Sequence, residues 1–192
     1  MIIHLNGWPG VGKKTIGEAL ARKIGARFIH NHLLHDIAIV CAGLQTEARW
    51  TLYETVRREA YAVLATQPRS DVFVMTNALC RNSVREQQAW QHVVELALVR
   101  QVPLIPIVLQ VEREENLRRL QSAERVGKKL TDARELEGYF AEDTIQHPDV
   151  PEALLLDVTR LPAEDAAERV VSHVSAVKIG ISVATQQHLR MR

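Results

Sequence analysis

Cysteine, net charge and long apolar runs are all scarce in this 192-residue chain. Only two cysteines occur, Cys41 and Cys80, both in apolar or mixed surroundings. That count excludes a disulfide-stapled scaffold, and such residues are ordinarily small buried hydrophobes of a reducing compartment. With 24 Lys and Arg against 23 Asp and Glu, the formal net charge is +1. No global field therefore draws the chain to nucleic acid or to an anionic membrane. No apolar run approaches the roughly 20 residues that a membrane span needs. A strand-like run begins at Met1, so no cleavable leader is expected before it, and the expected compartment is the cytoplasm. There is no internal repeat and no low-complexity segment. A chain of this length is expected to form one domain, with or without a mobile insert, around a full core.

What is present is alternation. Strand-like runs at 2–5, 27–30, 72–76, 104–111 and 153–158 alternate with longer helical stretches, the pattern of an α/β domain with a mainly parallel sheet. The last three runs are nearly continuous in apolar residues, as expected for strands covered on both faces. The spacing of Ile16, Leu20 and Ile24 predicts a helix over 13–24, stopped by Gly25. A longer helix is predicted over 46–67, marked by Trp50, Tyr53, Val56 and Ala60. Ser83 and Glu86 form a capping-box signature for a helix running to about residue 100. Further helices are predicted at 112–122 and 132–142, flanking a basic segment at 125–129, and at 162–177. Residues 180–192 show no strong period and read as a tail, either disordered or part of an oligomer contact.

The first strand runs directly into Gly7-Trp8-Pro9-Gly10-Val11-Gly12-Lys13-Lys14-Thr15. Strand, glycine-rich turn and helix start make the arrangement of a phosphate-binding P-loop. The glycines let the backbone bend tightly and turn successive N–H groups around an anion. The following helix adds the positive end of its dipole, and Lys13 a mobile ammonium. Gly7, Pro9, Gly10, Val11, Gly12, Lys13, Lys14 and Thr15 are thus the candidate nucleotide-binding residues. The place after the lysine ordinarily holds Ser or Thr, whose hydroxyl binds Mg²⁺. Here it holds Lys14, readable as a second cation near the phosphates or as a solvated first-turn lysine, and the hydroxyl comes one residue later, at Thr15.

Gly-x-Pro-Gly-x-Gly-Lys-x-Thr is similar to the loop of adenylate kinase and other small P-loop kinases. The chain thus resembles the nucleoside monophosphate kinase and shikimate kinase-like group, which includes gluconate kinase and antibiotic phosphotransferases. The resemblance implies a three-layer α/β/α domain over 1–178 with a five-stranded parallel sheet in the order 2-3-1-4-5. It implies substrate-binding helices at about 31–67, a small lid at about 118–131 and a separate tail at 179–192. ATP and Mg²⁺ are the implied cofactors, and a small molecule the acceptor of the γ-phosphoryl group. Neither nucleic acid nor membrane is an expected partner, and the expected state is monomer or homodimer. Mg²⁺ ligands cannot be assigned from the sequence.

Other candidate residues follow from strand ends, which point into the cleft of an open α/β sheet. Arg118, Arg119, Arg125, Lys128 and Lys129 follow the fourth strand; the resemblance implies that Arg119 and Arg125 close over ATP and neutralise transition-state charge. The bland reading is a solvated helix face carrying Glu-Arg pairs such as Glu115 with Arg119. The second strand ends in His30-Asn31-His32-Leu33-Leu34-His35-Asp36. Asp36 is the nearest carboxylate for a general base, or else a helix cap; His32 is the alternative group to orient the acceptor hydroxyl. Three histidines so close resemble part of a metal site, but further ligands are distant in sequence, so zinc is not expected. At the third strand's end stand Thr76, where kinases and nucleotide hydrolases of this group carry an aspartate, and Asn77. Asn31, His32, Asn77 and Arg81 are the expected substrate contacts, with Arg49, Arg57 and Arg58 as further arginines nearby. The expected activity is ATP-dependent phosphoryl transfer, catalysed by Lys13, Asp36, His32, Arg119 and Arg125. The alternatives are an antibiotic phosphotransferase or a nucleotide-binding regulatory protein without turnover.

Overall fold

The elements run β1 (Ile2–Asn6), α1 (Lys13–Ile24), β2 (Arg27–His30), α2 (His32–Ala42), α3 (Glu47–Ala65), β3 (Phe73–Thr76), α4 (Val84–Arg100), β4 (Leu104–Gln110), α5 (Arg113–Leu120), β5 (Leu154–Asp157) and α6 (Ala163–Arg190). The computed structural model describes residues 1–121 and 144–190. Arg125, Lys128, Lys129, the lid beyond residue 121 and the helix predicted at 132–142 lie outside the described residues. The five strands form one parallel sheet in the order β2-β3-β1-β4-β5. This is the topology that the resemblance implies.

Period-two alternation along the central strands separates two cores. Ile3, Leu5, Val74, Ile105, Ile107 and Leu109 face one side, where Ile16 and Leu20 of α1 and Val170 and Val174 of α6 cover them. Ile2, Phe73 and Met75 face the other, against Tyr53 and Tyr61 of α3 and Val93 and Leu96 of α4. Both faces of the sheet are therefore dry, which accounts for the unbroken apolar runs in β3 and β4.

Two helices start on side-chain caps: Thr46 Oγ1 accepts the Arg49 N–H at 3.2 Å, and Ser83 Oγ accepts the Glu86 N–H at 3.3 Å. The first helix differs. It starts from Gly12, with no side-chain cap and no acidic residue in its first turn. The last helix also departs from expectation, running to Arg190 instead of ending near residue 177. Gly180 is the one strong breaker in that stretch, and a single interior glycine costs only about 1 kcal/mol against alanine.

Where α4 ends, Arg100 binds the loop that feeds β3. Its guanidinium donates to the carbonyls of Leu64 (2.5 Å), Gln67 (3.0 Å), Pro68 (2.8 Å) and Asp71 (3.3 Å) and lies 4.4 Å over the Phe73 ring. Four carbonyls at one planar fork suit arginine and not lysine. Arg100→Ala should destabilise the fold by about 2–4 kcal/mol, since buried carbonyls lose charged donors. Arg100→Lys should recover less than half of that loss. Urea unfolding of the three proteins checks this; an Arg100→Ala midpoint equal to the parent's would refute it.

Candidate functional site

At the carboxyl end of β1 the chain leaves the sheet and curls. Gly7, Gly10 and Gly12 adopt φ of +149°, +95° and +99°. Gly10 has a second constraint: a Cβ there would lie 2.4 Å from Oδ1 of Asn116. Asn116, on α5, is fully buried, and neither atom of its amide has a hydrogen-bond partner. Its neighbour Arg119 reaches the Val11 carbonyl at 3.5 Å and donates to the carbonyls of Val158 (2.9 Å) and Thr159 (2.7 Å). Arg119 Nε also binds Glu115 at 2.6 Å, and Arg118 and Arg119 together hold the Glu115 carboxyl down to about 2. One helix thus braces the loop against the end of β5.

The predicted loop residues come together around this curl. Lys13 folds back, its Nζ donating to the carbonyls of Gly7 (2.5 Å) and Trp8 (2.8 Å). Val11 is buried; Lys14 and Thr15 are exposed on the first turn of α1. The Lys14 ammonium lies 3.5 Å from Glu18. No side chain caps this turn, so its N–H groups face the space that the loop encloses, a ready place for phosphate oxygens.

Beside the loop lies a cavity of about 300 Å³ between α2, α3 and the segment after β3. Its walls carry three rings, His35, Trp50 and Tyr53, two guanidinium groups, Arg57 and Arg85, the Glu86 carboxylate, and the amides of Asn31 and Asn77, with Arg85 and Glu86 supplied by the first turn of α4. His35 stacks on Tyr53 at 3.8 Å, and the Tyr53 hydroxyl donates to Asn31 Oδ1 at 2.7 Å. The Arg49 and Arg85 guanidinium groups lie 4.2 and 4.1 Å from the Trp50 ring centre. Arg57 is 1% exposed; it binds Glu54 through Nη2, and its Nη1 has no partner.

Short hydrogen bonds tie the cavity to the loop. Asn6 Nδ2 donates to the carbonyls of Leu79 (3.1 Å) and Gln146 (2.9 Å), while its Oδ1 accepts the Leu79 N–H (2.7 Å). The buried His4 meets Asn77 Oδ1 through Nε2 at 2.9 Å, which requires the Nε2–H tautomer.

Of the expected substrate contacts, Asn31 and Asn77 line the cavity. His32, Asp36 and Arg81 have exposed side chains and are not among its lining residues. His35, Trp50, Tyr53 and Arg85 line it without having been singled out from the sequence. The period of α2 was the available signal: His35 lies on the same face as the buried Leu34 and Ala38, whereas Asp36 lies on the outer one.

Mg²⁺ takes oxygen ligands, commonly one or two carboxylates with substrate phosphates and waters, and the hydroxyls nearest the loop are those of Thr15 and Thr76. Lys14 stands at the hydroxyl place, and the strand ends offer Asn6, His30, Thr76 and Asn77. Glu115 is held by two arginines, and Asp157 accepts from both the N–H and the hydroxyl of Thr159. Among the described residues there is no group of three His, Cys, Asp or Glu side chains able to hold a metal.

No family model matches the chain, and no curated protein matches it in sequence. Solved structures match it in shape. A gluconokinase from Sinorhizobium meliloti 1021 is 18% identical with a TM-score of 0.64, covering 95% of this chain and 95% of that one. A sugar kinase from Janibacter sp. HTCC2649 is 20% identical with a TM-score of 0.57, covering 91% and 94%. Shikimate kinase from Aquifex aeolicus vf5 is 16% identical with a TM-score of 0.53, covering 94% and 99%. The chain therefore has the fold of the small P-loop kinases. Among the described residues no helix is long and apolar enough to cross a membrane.

Two cleft histidines make stability depend on pH. Burial pushes His4 down to about 4, with the Lys13 charge adding to the effect against the Asn77 hydrogen bond. Burial likewise pushes His35 down to about 4, helped by His32, Arg49 and Arg57. Unfolded histidines titrate near ~6.5, so below that pH the unfolded chain binds more protons than the folded one. Stability from this source is fully present above about pH 6.5 and falls as pH drops toward 4. The urea midpoint should fall between about pH 6.5 and 5, and His35→Gln should flatten the slope by about one proton. A midpoint constant across that window would contradict the burial of both rings.

Proposed function

We propose that this protein is an ATP-dependent phosphotransferase acting on a small, anionic, hydroxylated molecule. The observation that carries the reading is the juxtaposition of a glycine-rich loop with a separate cavity, lined by Arg57, Arg85 and Glu86, at the same end of the sheet. A phosphoryl transfer enzyme needs these two compartments, one for the donor's phosphates and one for the acceptor. Loop N–H groups and Lys13 would hold the β- and γ-phosphates, with Lys13 exchanging its two carbonyl partners for phosphate oxygens. Thr15 would touch a phosphate, and Arg119 and Arg125 would add positive charge over the transferring group. The gluconokinase and shikimate kinase that share the fold are named for hydroxylated acids. Arg57, buried in the cavity wall with an unpartnered Nη1, is the natural partner for such an acid's carboxylate.

In this reading positioning and charge outweigh proton abstraction, because phosphoryl transfer passes through a loose transition state. Asp36 and His32 remain the groups proposed to orient the acceptor hydroxyl, and Asp36→Asn tests whether a base contributes at all. Antibiotics belong among the acceptors to be tried, since they differ only in what fills the cavity. A second reading, binding without turnover, draws on Thr76 and His32 standing where kinases of this group carry carboxylates.

The deciding experiment is acceptor-dependent ADP release across hydroxylated acids, sugars, nucleosides and antibiotics, with Lys13→Ala as the control. One acceptor class should raise ADP release in the parent and not in the control. ATP binding without any acceptor-dependent ADP would favour the second reading.

Arg57→Met should then raise the acceptor KM by about 10–100-fold, the effect expected when a charge-assisted pair is lost, and leave ATP affinity unchanged. Steady-state kinetics in both substrates test this. An unchanged acceptor KM would remove Arg57 from the site.

A further inference from the structure

Two amides line the cavity, and each has its carbonyl end already taken. Asn77 is 4% exposed, and its Oδ1 meets Nε2 of His4, itself 1% exposed, at 2.9 Å. An amide oxygen only accepts, so the imidazole is the donor and holds the group by that end. Asn31 Oδ1 likewise accepts the Tyr53 hydroxyl at 2.7 Å. In both residues the end left for the cavity is the NH2, which has no partner among the described residues. Arg57 Nη1, also unpartnered, and the Arg85 guanidinium belong to the same wall. Glu86 is the one carboxylate among the lining residues, and its Oε2 already accepts the Cys80 N–H at 2.5 Å. Donors therefore outnumber acceptors around this space. A group that only accepts hydrogen bonds can use them all, whereas a hydroxyl brings a proton that needs an acceptor in turn.

We propose that His4 is a positioning residue for the acceptor: by holding Asn77 Oδ1 it turns the Asn77 NH2 into the cavity, so that the site selects a carboxylate over the corresponding uncharged group. His4 is not among the lining residues and acts on the cavity through Asn77. Without the imidazole the Asn77 amide can turn over and present its oxygen, which repels a carboxylate. The inference rests on the acid reading above and names what enforces it.

Calorimetric titration of the full chain with two acids, D-gluconate and shikimate, and with uncharged counterparts, D-glucitol and methyl shikimate, tests it. The parent should bind at least one acid about tenfold or more tighter than its counterpart. His4→Leu should bring that ratio within about threefold and leave the ATP Kd unchanged, a split that general loosening of β1 would not produce. His4→Gln, whose amide can donate to Asn77, should keep the parent's ratio. Nitrogen NMR of the parent needs no variant: His4 should be the Nε2–H tautomer. The Nδ1–H tautomer overturns the proposal, and so does a His4→Leu protein, folded by urea unfolding, that keeps the parent's acid preference. An acid preference that survives Arg57→Met places the binding outside the cavity and overturns it too. Binding of none of the four probes by the parent overturns the acid reading itself, a result distinct from the others.

Discussion

Between Gly10 and the side chain of Asn116 there is no room for a single methyl group, and the glycine-rich loop depends on that contact. The loop carries no regular hydrogen-bond ladder. It is held by Lys13 from within and by α5 from outside, through Asn116 and the Arg119 fork on the carbonyls of Val11, Val158 and Thr159. Arg119 therefore serves the carboxyl end of β5 and the loop at once. A buried amide with no partner is expensive, commonly 1–3 kcal/mol in mutational data, so the packing against Gly10 has to offset it. Such uncompensated polar groups gather where the backbone serves a function rather than its own stability.

The second link runs across the sheet from loop to cavity. Asn6 occupies the last position of β1 and satisfies both its amide ends on Leu79 and Gln146. His4, two residues earlier on the same face, binds Asn77, which lines the cavity. Strand periodicity thus places two polar side chains of β1 under the cleft while Ile3 and Leu5 enter the opposite core. Because burial keeps His4 neutral, the connection is a dipolar one and adds no charge beneath the phosphates. Movement of the loop and of the segment after β3 is coupled through these few bonds.

Much of this architecture was legible in the sequence because it follows from local periodicity. The strands, the helix over 13–24 and the caps at Thr46 and Ser83 depend on residues within a turn or two of each other. The loop was legible for the same reason, its glycines and lysines being contiguous. The acceptor cavity was not, since its walls come from α2, α3 and the segment after β3, which only the fold brings together. Asp36 is the obvious base in sequence, and a rotation of about 100° per residue sets it on a different face from His35. Arg81 precedes α4 whereas Arg85 stands in its first turn, and only the latter reaches the Trp50 ring and the cavity. The last helix reads shorter in sequence for a different reason, the lack of a strong apolar period over residues 180–192.

A net charge of +1 conceals how unevenly charge is distributed. Lys13, Lys14 and Arg119 stand on or beside the loop, and Arg57 and Arg85 on the cavity side, while several carboxylates are paired at the surface. The two groups of cations differ in solvation. Arg57 is buried and holds Glu54 on Nη2, which leaves Nη1 as its capacity for a further charge-assisted bond. Lys14 is half exposed, so its ammonium keeps mobility and hydration until a polyanion arrives. Such a division fits two ligands of different kinds: a small one selected by fixed geometry, and a highly charged one gathered by field.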